Sequence, residues 1–184
     1  VLKGAYLYSE SDLKSKYSKI ALMASGVAMP WAIKAKEILE KEYEVSVDIY
    51  SVTSWNELRR DGLHVEKQNF LTGSSNKTFV EKLLENHKGP IVAVSDWMKI
   101  TTEQIRPYIK QDYVTLGTDG WAVSDTRGAL RRYFLVDSES IVLSALSSLV
   151  KIGEIEKTIW ISALKKFKID DPASVEPGNI HGDS

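Results

Sequence analysis

The chain has no cysteine among its 184 residues. That excludes disulfides, thiolate zinc sites and thiol nucleophiles, and it fits a reducing compartment. Neither sign of charge is in surplus: 24 Lys and Arg stand against 25 Asp and Glu, with no face-long basic run. A phosphate-backbone footprint is therefore not indicated, and nucleic acid is not an expected partner. Long hydrophobic runs are missing too. The most apolar stretch, around Ile141–Ile152, carries serines and Lys151 and reads as short of a bilayer span, and the N-terminal residues contain no signal-peptide core. The expectation is a soluble, cytoplasmic protein with no membrane partner. The chain lacks a Gly-x-Ser-x-Gly elbow and the Walker and dinucleotide glycine loops. His64, His87 and His181 lie far apart and none has the spacing of a helical metal pair, so no metal site is assigned.

What remains is ordinary globular composition, 43% hydrophobic and 27% charged, enough for one core that removes roughly 70% of the unfolded chain's surface from water. One domain is expected over residues 1–170, followed by a polar tail, 171–184, with two prolines. Short β-prone runs at Lys3–Ser9 and Lys19–Ser25, separated by the polar segment Glu10–Ser18, read as an antiparallel pair. From Pro30 the apolar residues Trp31, Ala35, Ile38 and Leu39 recur at helical spacing, with Glu37 four residues before Lys41. A strand pattern follows at Val45–Val52, then a helical run at Phe79–Leu84. Next come a strand at Pro90–Ser95, a helix at Thr101–Tyr108, a strand at Tyr113–Leu116 and a helix marked by Ala129, Leu130, Tyr133 and Phe134. Two apolar helical stripes close the chain, Ile141–Leu149 and Ile155–Phe167, with Gly153 as the stop between them. The fold expected is a three-layer α/β domain with a five-stranded, mostly parallel sheet whose first strand is antiparallel.

In such sheets ligands gather beyond the carboxyl ends of the strands. The residues predicted there are Ser25 and Gly26; Thr53, Ser54 and Asn56; Asp96 and Lys99; and Gly117–Asp119. Taken singly, each is explained by turns and helix caps; Asp125 is expected to cap the helix that follows it. Arg127, Arg131 and Arg132 allow an anion clamp, though a solvated helix face explains them as well. Asp119 and Asp125 could be paired carboxylates for acid–base work, but the loop between them leaves their separation unknown. Trp55, Trp97 and Trp121 each follow a strand end, which favours an interface.

The order of "SVTSWNELRRDG" (51–62), "SDWMK" (95–99), "RPYI" (106–109), "GTDGWAVSDTRGALRRYF" (117–134) and "GEIEKTIWISALKKFKID" (153–170) resembles the C-terminal domain of the homodimeric bacterial pyruvate dehydrogenases, the decarboxylating component. The resemblance runs from about Lys19 to Asp170 and implies a transketolase C-terminal-like fold. It departs from the family pattern at Ala24-Ser25-Gly26, at Ala122-Val123, and in residues 66–73. It further implies an enzyme that uses thiamine diphosphate and magnesium to decarboxylate pyruvate and passes the two-carbon unit to a dihydrolipoyl acetyltransferase core. The cofactor would be held by upstream domains, so this chain is expected to have no catalytic, cofactor-binding or metal residues of its own and to bind none of these groups alone. Its partners would be those upstream domains and a second subunit. On that reading residues 117–127 close an interdomain surface, with Asp96, Lys99, Asp119, Asp125 and Arg127 as interface or substrate-edge candidates. The alternative, from the residues alone, is a free-standing doubly wound module that holds a small anion.

Overall fold

The computed structural model describes residues 2–120 and 124–169. Trp121, the Ala122-Val123 departure, His181 and the expected polar tail lie outside the described residues. Five strands form one sheet in the order β1-β3-β2-β4-β5: β1 (Ala5–Ser9), β2 (Ile20–Ala24), β3 (Val47–Val52), β4 (Ile91–Val94) and β5 (Tyr113–Leu116). All pairings are parallel except β1 on β3. This corrects the expected hairpin between the first two strands: β1 is antiparallel, but its partner is β3. The reason lies in the residues. Every side chain of β2 is buried, as a central parallel strand requires, and both of its edges are taken by β3 and β4. β1 leaves Leu7 and Tyr8 exposed and therefore suits the sheet's margin.

The strands alternate side chains between two cores. On one face Ile20, Leu22, Ile49, Val92 and Val94 pack against α1 (Met29–Tyr43), α6 (Ser138–Lys151) and α7 (Lys157–Phe167). On the other, Ala21, Met23, Tyr50, Ile91 and Ala93 meet α2 (Trp55–Thr72), α3 (Phe79–Leu83) and the segment that carries Ile105 and Tyr108. Each Leu or Ile removed from water in these layers contributes roughly 1.5–3 kcal/mol.

Helix boundaries follow local chemistry. Pro30 sits in the first turn of α1, and the Glu37–Lys41 pair spans one turn of its exposed face at 3.5 Å. Thr78 and Glu81 close a capping box on α3. Asp137 caps α6 by accepting from the Ser140 amide at 2.9 Å, and the same carboxylate pairs with Arg132. Beyond α6, Gly153 adopts φ 78°, and the amides of Gly153 and Glu154 reach back to Val150 and Leu149. The expected stop is therefore in place. By length and composition Arg127–Lys151 would suffice to cross a bilayer. Its regular structure breaks between α5 (Arg127–Tyr133) and α6, and the apolar residues of α6 are buried in the core.

The sequence reading missed α2, an 18-residue helix. Only Trp55, Leu58 and Gly62 of it are buried, so no apolar stripe runs its length. The legible signal was the start: Ser54-Trp55-Asn56-Glu57, in which Ser54 Oγ accepts from the Glu57 amide at 3.2 Å. The expected helix at Thr101–Tyr108 divides into α4 (Lys99–Glu103) and a 3-10 turn, Arg106–Tyr108, because Pro107 cannot continue an α-helix.

Candidate functional site

The chain leaves β2 through α1 to reach β3 on one side, and leaves β4 through α4 to reach β5 on the other. The carboxyl ends of β2 and β4 therefore flank the place where the winding reverses, the position at which open α/β sheets form their crevice. A cavity of about 160 Å³ lies there, lined by Val27, Ala28, Trp31, Asp96, Thr118, Leu130, Arg131, Phe134 and Val136.

The loops around it are tied together by close backbone approach. Asp119 Oδ1 accepts from the Lys99 amide at 2.9 Å, which joins the loop after β5 to the start of α4. The Thr118 amide donates to Trp97 O and its hydroxyl to Asp96 O, at 3.0 and 2.9 Å. A Cβ at Gly117 would stand 2.6 Å from Trp97 O and 2.7 Å from Lys99 N, so a larger residue would have to push the two loops apart. Gly120 adopts φ 127°, which glycine alone tolerates readily.

The predicted site residues are only partly brought together. Asp96 lines the cavity, and its carboxylate lies beside Gly26. Lys99 and Asp119 meet through the amide bond just described. Asp125 does not cap α5: Thr126 does, its hydroxyl accepting from the Ala129 amide at 3.3 Å, while Asp125 Oδ1 accepts from the Thr126 amide. The cap falls one residue later because Thr126 holds the extended backbone of an N-cap. Arg127 is exposed at the first turn of α5. The three arginines do not form a clamp. Arg131 lies over the Trp31 ring at 4.5 Å. Arg132 pairs with Asp137 and Glu139 and donates to Phe167 O at 3.0 Å, which ties α5 to α6 and α7. Glu139 is held below the usual carboxylate range despite burial, by hydrogen bonds from Ser138 and its own amide and by Lys34 and Arg132.

The tryptophans divide. Trp97 is 69% exposed, next to exposed Met98 and Ile100. Trp55, expected at an interface, is instead 5% exposed; it packs under the sheet and donates its indole N–H to Ser25 Oγ at 3.0 Å. Ser25 Oγ is thereby engaged as the acceptor of the indole. Val27, Tyr133 and Leu135 add further exposed apolar surface on segments that border the cavity, a feature the sequence pattern did not single out.

This rim does not fit thiamine diphosphate and magnesium. Its cavity is walled mainly by hydrocarbon, and among the described residues no three His, Cys, Asp or Glu side chains gather as a ligand set. The same walls ill suit a bare anion, against the small-anion module. What the arrangement offers is a preformed apolar socket within an exposed apolar margin, the character of a covered protein surface.

The family model for the transketolase-like TK C-terminal domain matches residues 4–137. The pyruvate dehydrogenase E1 component of Mycobacterium tuberculosis is 44% identical over 176 residues, 95% of this chain and 19% of the relative. That of Corynebacterium glutamicum is 45% identical over 175 residues, 94% and 19%, and that of Escherichia coli K12 is 39% identical over 167 residues, 89% and 19%. This chain therefore spans about a fifth of the length of these relatives. Among solved structures, transketolase from Campylobacter jejuni superposes with a TM-score of 0.54 at 20% identity, covering 79% of this chain and 18% of that one. A transketolase from Pichia stipitis gives 0.56 at 17%, covering 81% and 18%. A loop-tied apolar rim at the sheet's switch point, the expected five-stranded topology and sustained identity to these relatives lead to one conclusion: the chain belongs to the transketolase-like C-terminal domain family.

Proposed function

We propose that this chain is the C-terminal domain of a thiamine diphosphate-dependent pyruvate dehydrogenase E1 component, and that its part in that enzyme is to be docked upon. The observation that carries this reading is the identity of 39–45% maintained across 89% or more of the chain to proteins of that name. The rim supplies the physical role. Val27, Trp97, Met98 and Ile100 are apolar side chains that water leaves unsatisfied and another protein surface would cover. Asp96, Lys99, Asp119 and Arg127 set polar contacts around them, and Asp125 steadies the start of α5.

In this account thiamine diphosphate and magnesium are bound by the rest of the enzyme, which decarboxylates pyruvate in the cytoplasm and hands the two-carbon unit to a dihydrolipoyl acetyltransferase core. Residues 1–170 make the domain and 171–184 the tail. The docked partners are the remaining domains and a second subunit. No residue of this chain is assigned a proton transfer or a ligand bond to the cofactor.

Calorimetric titration tests the division of labour. The 184-residue chain should take up thiamine diphosphate with magnesium without saturable heat, while a protein that adds the remaining four-fifths of the relatives' length should bind it saturably and release CO2 from pyruvate. Saturable binding by the 184-residue chain alone would overturn the proposal.

A further inference from the structure

The opposite end of the sheet holds a second cavity, which no part of the proposed function uses. It measures about 450 Å³ and opens among Leu7, Lys19, Asp48, Tyr50, Asn86 and Lys88. Its floor is the sheet face at β1 and β3, given by Leu7, Asp48 and Tyr50. One wall is the connection from α3 to β4, and the other is the segment before β2. The size is that of a small-molecule site.

Asp48 is the unusual group. It is 6% exposed, and a carboxylate is rarely buried to that depth without full pairing. Both of its protein contacts fall on one oxygen: Oδ1 accepts from the Ser11 amide at 2.8 Å and lies 3.1 Å from Lys19 Nζ. Among the described residues Oδ2 has no hydrogen-bond partner, and Asp48 borders the cavity. Lys19 is committed elsewhere as well, donating to Ser11 O at 3.3 Å and standing 3.9 Å from Glu10. The buried carboxylate thus keeps acceptor capacity for an incoming ammonium.

Across the cavity the lining changes sign and character. Lys88 is exposed and makes no ion pair among the described residues, and Asn86 adds an amide beside it. His87 is buried, with its pKa pushed below the ordinary value chiefly by that burial, so near neutral pH it contributes a hydrogen-bonding ring rather than a charge. Leu7, Leu83 and the Tyr50 ring supply hydrocarbon between these poles.

A ligand that satisfies all three features carries an ammonium, an anion and a short apolar body. We propose that this cavity binds a small amino-carboxylate with an apolar side chain, its ammonium on Asp48 Oδ2 and its carboxylate toward Lys88 and Asn86. The site is remote in the fold from the docking rim, at the amino ends of the strands rather than the carboxyl ends, and its occupancy does not depend on the proposed function.

Calorimetric titration of the full chain with L-valine, isobutylamine and 3-methylbutanoate tests the assignment, since each of the latter two lacks one charged group of the first. Saturable heat is expected with L-valine, with at least about tenfold weaker binding of either half-molecule. Asp48→Asn and Lys88→Met should each weaken L-valine about tenfold. Because Lys88 is exposed, its substitution keeps the test meaningful if the Asp48 variant fails to fold. The proposal is overturned if L-valine gives no saturable heat, if it binds the Lys88 variant unchanged, or if 3-methylbutanoate binds as well as L-valine.

Discussion

The two ends of this sheet are finished in opposite ways. At the carboxyl ends, loops are pinned to one another by backbone contacts and present hydrocarbon outward: Trp97, Met98, Ile100 and Val27 surround a small apolar socket. At the amino ends, a strap of residues 10–19 folds back on the protein with polar contacts. Ser11 Oγ donates to Glu40 at 2.5 Å, Ser18 donates to Glu154, and Lys19 pairs with Asp48. A strap of the chain itself crosses one end beside the larger cavity, and the proposed function has the other covered by another protein surface. The same strands feed both ends, so the difference comes from the connections. Loops at strand ends tolerate variation, and those at the carboxyl ends here carry Val27, Trp97 and Met98 among the exposed apolar residues.

The largest effect expected separates the two ends by their glycines. A Cβ at Gly89 would stand 2.0 Å from Lys19 O, a backbone atom that cannot swing aside. Gly89→Ala should therefore cost the lone chain about 3 kcal/mol in urea-melt stability. Gly117→Ala meets backbone at 2.6 Å, but in an edge loop that can yield, and about 1–2 kcal/mol is expected. Equal losses would mean that the rim is as rigid as the strapped end.

Next in size is the buried ion pair. Asp48→Ala removes the partner of Lys19 and the acceptor of the Ser11 amide, and about 2 kcal/mol of stability should go with them, less than for a fully dry pair because Lys19 is partly solvated. A smaller effect comes from pH. Burial holds the folded-state pKa of His87 below its ordinary 6.5. The unfolded chain thus binds a proton that the folded one refuses, and stability present above pH 6.5 falls as pH drops toward the folded-state value. The melting temperature should decline between pH 7 and pH 5.5, and the decline should flatten in His87→Gln. An unchanged slope in that variant would assign the effect elsewhere.

The smallest effect on the lone chain belongs to the rim. Trp97→Ser with Met98→Ser removes exposed hydrocarbon and should move its stability by no more than about 0.5 kcal/mol. Assembly of a protein of the relatives' full length should nevertheless weaken by at least about tenfold in the same variant. Neutralising Asp119 or Arg127 should weaken assembly less than that, and more than it weakens cofactor binding. A rim variant that assembles normally would erase the distinction between the two ends.

Much of this architecture was legible because burial is written as hydrophobic period: β2, β4 and α6 announce themselves by continuous or striped apolar residues. No part of α2 was read, since solvent on most sides of its distal half demands no apolar stripe and only Trp55, Leu58 and Gly62 are buried. Strand pairing was misjudged for β1 because sequence proximity says nothing about which sheet edge is vacant. For the site, residue types after strand ends were found, but their engagement was not. Trp55 faces inward among core residues from distant strands and donates to Ser25, thirty positions away, contacts that no local pattern displays. The amino-end cavity escaped notice because its residues are contributed by four separated segments with no local pattern.

In the proposed function the carboxyl-end margin is a surface covered by the rest of a longer enzyme. Hydroxyl-radical labelling of Trp97 and Met98, compared between the 184-residue chain and a protein of the relatives' full length, tests it most directly. Labelling at both residues should fall severalfold in the longer protein, while Leu135 and Tyr133 follow in the same direction. Equal labelling of Trp97 and Met98 in the two would contradict the claim.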